Sequence, residues 1–149
     1  MADNQKPRGI RNNNPGNIRW GDPWLGLVLS AQRTDKDFCQ FTDPKYGIRA
    51  MAVILLGYTK KKGTSGVGND GLDTVREIIS CWAPAVENDT GSYIRSVATA
   101  MNVKPSQPLN LKDLTQMREL IKAIISHENG QLPYPNSLIE AGVNLAYSR

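Results

Sequence analysis

The sequence predicts an α+β domain, mainly α, in which a small N-terminal β-lobe precedes about five helices. Three observations carry that expectation. Residues 10–43 are rich in Gly, Pro, Asn and Asp and hold only short apolar runs, NIRW, LGLVLS and FCQF, broken by GDPW and AQRTDKD; short apolar runs bounded by turn formers mark strands and tight loops. From Asp43 onward the apolar residues instead recur three and four apart, the helical period. The length of 149 residues is that of one ordinary domain, able to bury a core without disulfides or metal. Residues 1–149 are therefore expected to form a single domain, with residues 1–9 as a short polar arm.

Taken in order, the lobe of residues 10–43 is expected to be a small antiparallel sheet or an irregular β-lobe. Asp43-Pro44 is a helix start signal, and Ile48, Met51, Leu55 and Tyr58 form one face of a helix over 45–61. Lys60 to Lys62 complement the end of that helix, and a loop from Gly63 to Gly71 follows. Asp73 can cap a helix with Val75, Ile78, Ile79 and Trp82 as its stripe, which Pro84 ends. A further helix, capped near Thr90, carries Tyr93, Ile94, Val97, Ala98 and Met101. KPSQPLN connects it to a helix of residues 111–129, opened near Asn110, with Leu114, Met117, Leu120, Ile121, Ile124 and Ile125 inward. Gly130 takes the left-handed C-cap, and Ser137 with Glu140 forms a capping box for a helix over 138–147.

Composition narrows the chemistry. No apolar run of 18 residues is present, so no membrane-spanning helix is expected. Cys39 and Cys81 sit in the apolar settings DFCQF and SCWAP and are expected to be buried thiols. A catalytic zinc needs three protein ligands, and His127 is the one histidine in the chain; no metal or cofactor is expected. GxSxG, P-loop and GxGxxG patterns are absent, and GVGNDG lacks the Lys-Ser/Thr of a phosphate loop. The net charge of +4 favours anionic partners. Its Lys and Arg are spread along the chain, whereas a nucleic-acid reader gathers them on one helix, so no nucleic-acid partner is expected.

Carboxylates remain, and glycoside chemistry needs one that stays protonated until it meets a leaving oxygen. There are five glutamates. Glu77 falls off its apolar stripe, Glu119 lies beside Arg118, and Glu140 serves the capping box. Glu128 differs, because helical steps back from it reach Ile124, Ile121, Met117 and Leu114. Burial beside isoleucines and the negative end of the helix dipole both favour its neutral acid; a solvated glutamate at a frayed helix end fits the spacing equally well. Glu87, in the loop WAPAVENDTG, is the alternative, with Tyr93 nearby. Trp20, Trp24 and Trp82 offer flat faces for a sugar, although at least one belongs in the core.

LIKAIISHENG resembles the glutamate helix of lysozyme-like lytic transglycosylases and muramidases. NNNPGNIRWG, FCQFTDPKYGIRAMAVILLGYTKK and WAPAVENDTGSYIRSVA resemble the glucosaminidase branch of that superfamily, and RGIRNNNPGNIR, residues 8–19, is the most specific stretch, shared with phage virion and lysis proteins. The resemblance covers roughly residues 8–135 and implies a peptidoglycan-cleaving enzyme with Glu128 as its catalytic acid. It also implies a circular permutation, since the glutamate helix usually precedes the lobe and here follows it; that departure keeps Glu87 as the alternative acid. Asparagine amides match acetamido and hydroxyl groups of N-acetylated sugars, so Asn17 and Arg19 are expected in the cleft, with Gln40 and Thr42 across it and Glu87 and Tyr93 in support. Asn12 to Asn14 can equally fold the turn at Pro15-Gly16. Asp35, Asp37 and Asp43 are the other carboxylates considered as a second catalytic group.

The implied reaction is cleavage between N-acetylmuramic acid and N-acetylglucosamine as a lytic transglycosylase, with a hydrolytic muramidase or a non-catalytic virion protein that binds wall glycan as alternatives. The partners implied are peptidoglycan strands and phage virion proteins, and the state a monomer. No charged-then-apolar leader opens the sequence, so the expectation is synthesis in the host cytoplasm and action in the periplasm or wall, reached through a holin or as part of a virion.

Overall fold

Helices supply the regular structure of this protein, seen in a computed structural model that describes residues 6–63 and 71–149. One turn, α1, spans Arg8–Arg11. Residues 12–43 then run irregularly, apart from a 3-10 turn at Ser30–Gln32. The remaining helices are α2 (Pro44–Tyr58), α3 (Val75–Trp82), α4 (Thr90–Met101), α5 (Leu114–Asn129) and α6 (Asn136–Tyr147).

The helix ends follow side-chain chemistry, with several shifts from expectation. Asp43 caps α2 by accepting from Lys45 N, with Pro44 in the first turn where its missing N–H costs nothing. The cap of α3 is Thr74 and not Asp73: its hydroxyl accepts from Glu77 N and donates to the buried Glu77 carboxylate. Asp89 caps α4, and Asp113, three residues past Asn110, caps α5. The capping box expected at Ser137 and Glu140 does not form. Helix α6 starts earlier, behind Pro135 and with no side-chain cap, and Glu140 bonds Arg118 at 2.8 Å instead. Arg8 and Gly9, expected in a polar arm, belong to α1, and Gly9 is buried. The expected 63–71 loop falls largely on residues 64–70, outside the described residues. The KPSQPLN connector clasps the start of α3 through Leu109 N to Asp73 O and Arg76 N to Pro105 O.

Helix α5 is the axis of the core. Met117, Leu120, Ile121, Ile124 and Ile125 are fully buried on it, and it packs against α1, α2, α4 and α6. The most extensive pairing is α2 with α6. Gly142 permits it, because a Cβ there would stand 2.7 Å from Ile48 Cγ2 and 2.8 Å from Lys45 O.

In residues 12–43 the expected sheet is reduced to two isolated antiparallel bridges, Arg19 with Phe38 and Leu27 with Phe41. The FCQF segment nevertheless has its backbone bonded on both edges. On one edge Val28 N donates to Gln40 O and Thr42 N to Gly26 O. On the other, backbone bonds alternate with asparagine side chains: Cys39 N reaches Ile18 O and Phe41 N reaches Asn12 O, while Asn14 Nδ2 takes Cys39 O and Asn13 Nδ2 takes Phe41 O. Behind this edge Cys39, Phe41 and Ala50 form a second small core with Trp20, Trp24 and Tyr46 against it. Both cysteines are free thiols, and burial raises that of Cys39 to about 11.

Asp35 closes the lobe. Its carboxylate accepts from Arg8 Nε and Nη2, both at 2.6 Å, from Asn12 Nδ2 at 2.9 Å, and from the backbone of Asp37 and Phe38 at 3.0 Å. Chiefly the Arg8 pair, opposed by burial and helped by the Phe38, Asn12 and Asp37 donors, holds this carboxyl far below the usual range.

Two predictions follow from the lobe. Asn14→Ala orphans Ile18 N–H and Cys39 C=O, each costing about 1–3 kcal/mol when buried; chemical denaturation should record a loss of roughly 2–4 kcal/mol, and a loss below about 1 would mean the lobe re-bonds freely. For Asp35, a folded pKa below the unfolded value of about 3.9 means that its stabilisation is complete above that pH and is lost as pH falls toward the folded value. Thermal midpoints followed downward from about pH 4 should therefore fall more steeply in wild type than in Asp35→Asn, and parallel curves would remove Asp35 from the acid transition.

Candidate functional site

Glu128 is the penultimate residue of α5, ahead of the left-handed cap at Gly130, whose φ is 69°. The same apolar periodicity that buries Ile121, Ile124 and Ile125 carries Glu128 to the end of the core face, where it is half-buried. It opens into a cleft of about 540 Å³ between the lobe and the helices. The lobe side of this cleft is Gly16 to Arg19 and Phe38; the helical side is Tyr58, Trp82 and the loop carrying Glu87 and Asn88.

Four residues singled out in the sequence, Asn17, Arg19, Glu87 and Glu128, thus line one cleft. Asn17 Nδ2 donates to Glu128 Oε1 at 3.2 Å across 111 residues of sequence. The Arg19 guanidinium lies 4.8 Å from the centre of the Phe38 ring and, among the described residues, makes no ion pair. Glu87 is exposed on its loop. Tyr93 lies deeper: it is 1% exposed, stacks on His127 with ring centres 3.8 Å apart, and its hydroxyl is buried without a hydrogen-bond partner. Burial, then the charge of Glu128 and the polar contact of the hydroxyl with its carboxylate, push the phenol well above the ordinary value, and a polar contact with Trp82 acts the other way.

Gln40 and Thr42 do not line the cleft. The Gln40 amide bonds Thr34, Asp35 and Asn12 on the other side of its segment, and the Thr42 hydroxyl bonds Gly26 O. In a regular strand Phe38, Gln40 and Thr42 would share a side, but only isolated bridges form here, and of the three Phe38 lines the cleft. Of the tryptophans, Trp82 reaches the cleft, while Trp20 and Trp24 pack on the lobe core. The aspartates have structural work as well: Asp35 and Asp37 bind Arg8, and Asp43 caps α2. Among the described residues no group of three His, Cys, Asp or Glu side chains is placed to hold a metal ion, and no helix is long and apolar enough to cross a membrane.

Phe38 and Asn129 are among the contributors that the sequence did not mark. Phe38 was read only as part of an apolar run, and Asn129 only as part of the helix end. Asn129 is buried and donates to Pro15 O at 2.9 Å and Ile125 O at 3.0 Å, seating the end of α5 on the Pro15-Gly16 turn. An asparagine beside a candidate catalytic residue was the available signal.

No family model matches the chain. Protein P5 of Pseudoalteromonas phage PM2 is 38% identical to it over 141 residues, 93% of this chain and 81% of that protein. The chain belongs to the protein P5 family.

The buried, unpartnered Tyr93 hydroxyl yields a prediction. Removing an unpaired buried polar atom is neutral or stabilising, so Tyr93→Phe should hold or raise the unfolding free energy, by roughly 1 kcal/mol. A destabilised variant in the same denaturation experiment would mean that the hydroxyl is bonded in solution.

Proposed function

We propose that the chain is a peptidoglycan-degrading enzyme that cleaves between N-acetylmuramic acid and N-acetylglucosamine, as a lytic transglycosylase with Glu128 as its acid and base. The observation that carries the reading is Glu128 at the lobe-facing end of α5, half-buried, bonded by Asn17 and lining a cleft with Phe38 and Arg19 on one side and Tyr58 and Trp82 on the other. In the forward step Glu128 donates its proton to the glycosidic oxygen as the bond to muramic C1 breaks. The resulting carboxylate then takes the proton from the muramic C6 hydroxyl as that oxygen bonds C1, which closes a 1,6-anhydro ring and restores the acid. Trp82 and Phe38 suit the faces of pyranose rings. Arg19, exposed and without an ion pair among the described residues, suits the carboxylate that muramic acid carries and N-acetylglucosamine lacks.

The element order, lobe first and glutamate helix late, supports reading the chain as a circularly permuted lysozyme-like domain. Glu87 supports the second reading, a hydrolytic muramidase, because it is another glutamate lining the cleft and two-carboxylate hydrolysis requires a pair. A non-catalytic wall-binding role is the weaker alternative, since it gives no reason for a glutamate in the cleft. In the phage setting suggested by the protein P5 family, the substrate is the host wall, reached by release from the host cytoplasm or on a virion.

The test is a mass spectrum of purified peptidoglycan after digestion. Wild type is expected to release anhydro-muropeptides, and Glu128→Gln about 10²- to 10⁴-fold less, because an amide neither gives up nor takes the proton. Reducing-end muramic products would make the enzyme a muramidase, undiminished cleavage by the variant would move the acid to Glu87, and intact glycan with wild type would defeat the enzymatic reading.

A further inference from the structure

We propose that Asn17 is the positioning residue of Glu128, fixing its carboxylate through Oε1, and is not the sugar-binding amide that its place in an asparagine-rich segment suggests. The inference rests on the assignment of Glu128 as the acid. Its first ground is the backbone. Asn17 has φ of 51°, the left-handed region that side chains other than glycine enter at a cost and asparagine enters most readily. That conformation follows the Pro15-Gly16 turn, with Asn17 N donating to Asn14 O at 3.0 Å.

The second ground is how the amide is used. Asn12, Asn13 and Asn14 each spend their amides on the lobe itself. Asn17 spends its Nδ2 on Glu128 Oε1, and its Oδ1 is buried with no hydrogen-bond partner. The donor end is the end in use.

The third ground is the seating of the pair. Oδ1 of Asn17 and Oδ1 of Asn129 both crowd the α-carbon of Gly9, where an added Cβ would stand 2.9 Å and 2.7 Å from them. Gly9 thereby lets the amide sit behind Glu128, and any side chain there would push it away. On the other side Asn129 anchors the last turn of α5 to Pro15 O. The turn and the helix end are joined twice, so the Asn17 amide meets one oxygen of Glu128 in one geometry. A donor on Oε1 leaves Oε2 to carry the proton that is transferred.

The experiment compares wild type, Asn17→Gly and Asn17→Asp. Glycine suits the left-handed backbone, so folding is not at stake, and aspartate keeps the shape while losing the donor. On solubilised glycan strands both variants should lose kcat about 10- to 100-fold with KM within about two-fold, and Asn17→Gly should keep or raise its thermal midpoint. A raised KM with kcat preserved would overturn the proposal in favour of a substrate contact, and retained kcat and KM would overturn it outright. A readout independent of turnover is the Asn17 side-chain amide resonance in wild type and in Glu128→Gln: a shift of that resonance is expected, and none in a folded variant would overturn the pairing. Wild type without glycan cleavage would defeat the enzymatic reading, while the amide spectrum would still decide whether Asn17 holds Glu128.

Discussion

A backbone that leaves regular structure must still bond every polar group that it buries, and the lobe of this protein meets that constraint with asparagine side chains. Beside the FCQF segment, amides of Asn13 and Asn14 take carbonyls that a neighbouring strand would have taken. An amide has a donor and an acceptor on a short arm, so it can stand in for a peptide group without extending the chain. This is the reason for so many asparagines and so little hydrophobic mass in RNNNPGNIRW. The lobe is thin, its apolar core is small, and amide bonding does much of what packing does elsewhere.

The same device joins the lobe to the helices. Asn129 and Asn17 connect the end of α5 to the Pro15-Gly16 turn, and Gly47 lets α2 approach so closely that a Cβ would stand 2.2 Å from Asn13 O. Because α5 is also the axis of the helical core, the end that carries Glu128 is held on one side by buried isoleucines and on the other by amides. A carboxylate held from both sides keeps its orientation at little entropic cost, as the proposed acid and base role requires.

Charge is distributed to the same end. Arg8 and Arg19 lie against Phe38 at 4.5 and 4.8 Å, yet Arg8 is committed to Asp35 and Asp37 and Arg19 lines the cleft. Asp35 is thus a structural anion with a strongly depressed pKa, and the glutamates of the cleft are left without a bound arginine among the described residues. Neighbouring positions in sequence serve stability and the site separately.

How much of this was legible in the sequence depends on the range of the interactions. The helices over α2 to α6 were readable because apolar spacing, Pro and Gly are local signals, and the ends that moved, at Thr74, Asp113 and Pro135, moved within a few residues where several capping residues compete. Glu128 was singled out by its own helix, and Asn17 and Arg19 by their segment. Gln40 and Thr42 were misplaced because the side an irregular segment presents is set by its partners, here Thr34, Asp35 and Asn12 for Gln40 and the Gly26 carbonyl for Thr42. That Asn17 meets Glu128 across 111 positions, that Asn129 seats the helix end on Pro15, and that Phe38 and Trp82 wall one cleft were decided by tertiary packing alone. The sequence by itself determined a helical domain with an amide-rich lobe and one glutamate at the end of an apolar face, since those follow from residue chemistry and period. Only the fold decided which amides bond the chain and which one bonds the glutamate, because that choice depends on distances between segments that no local pattern encodes.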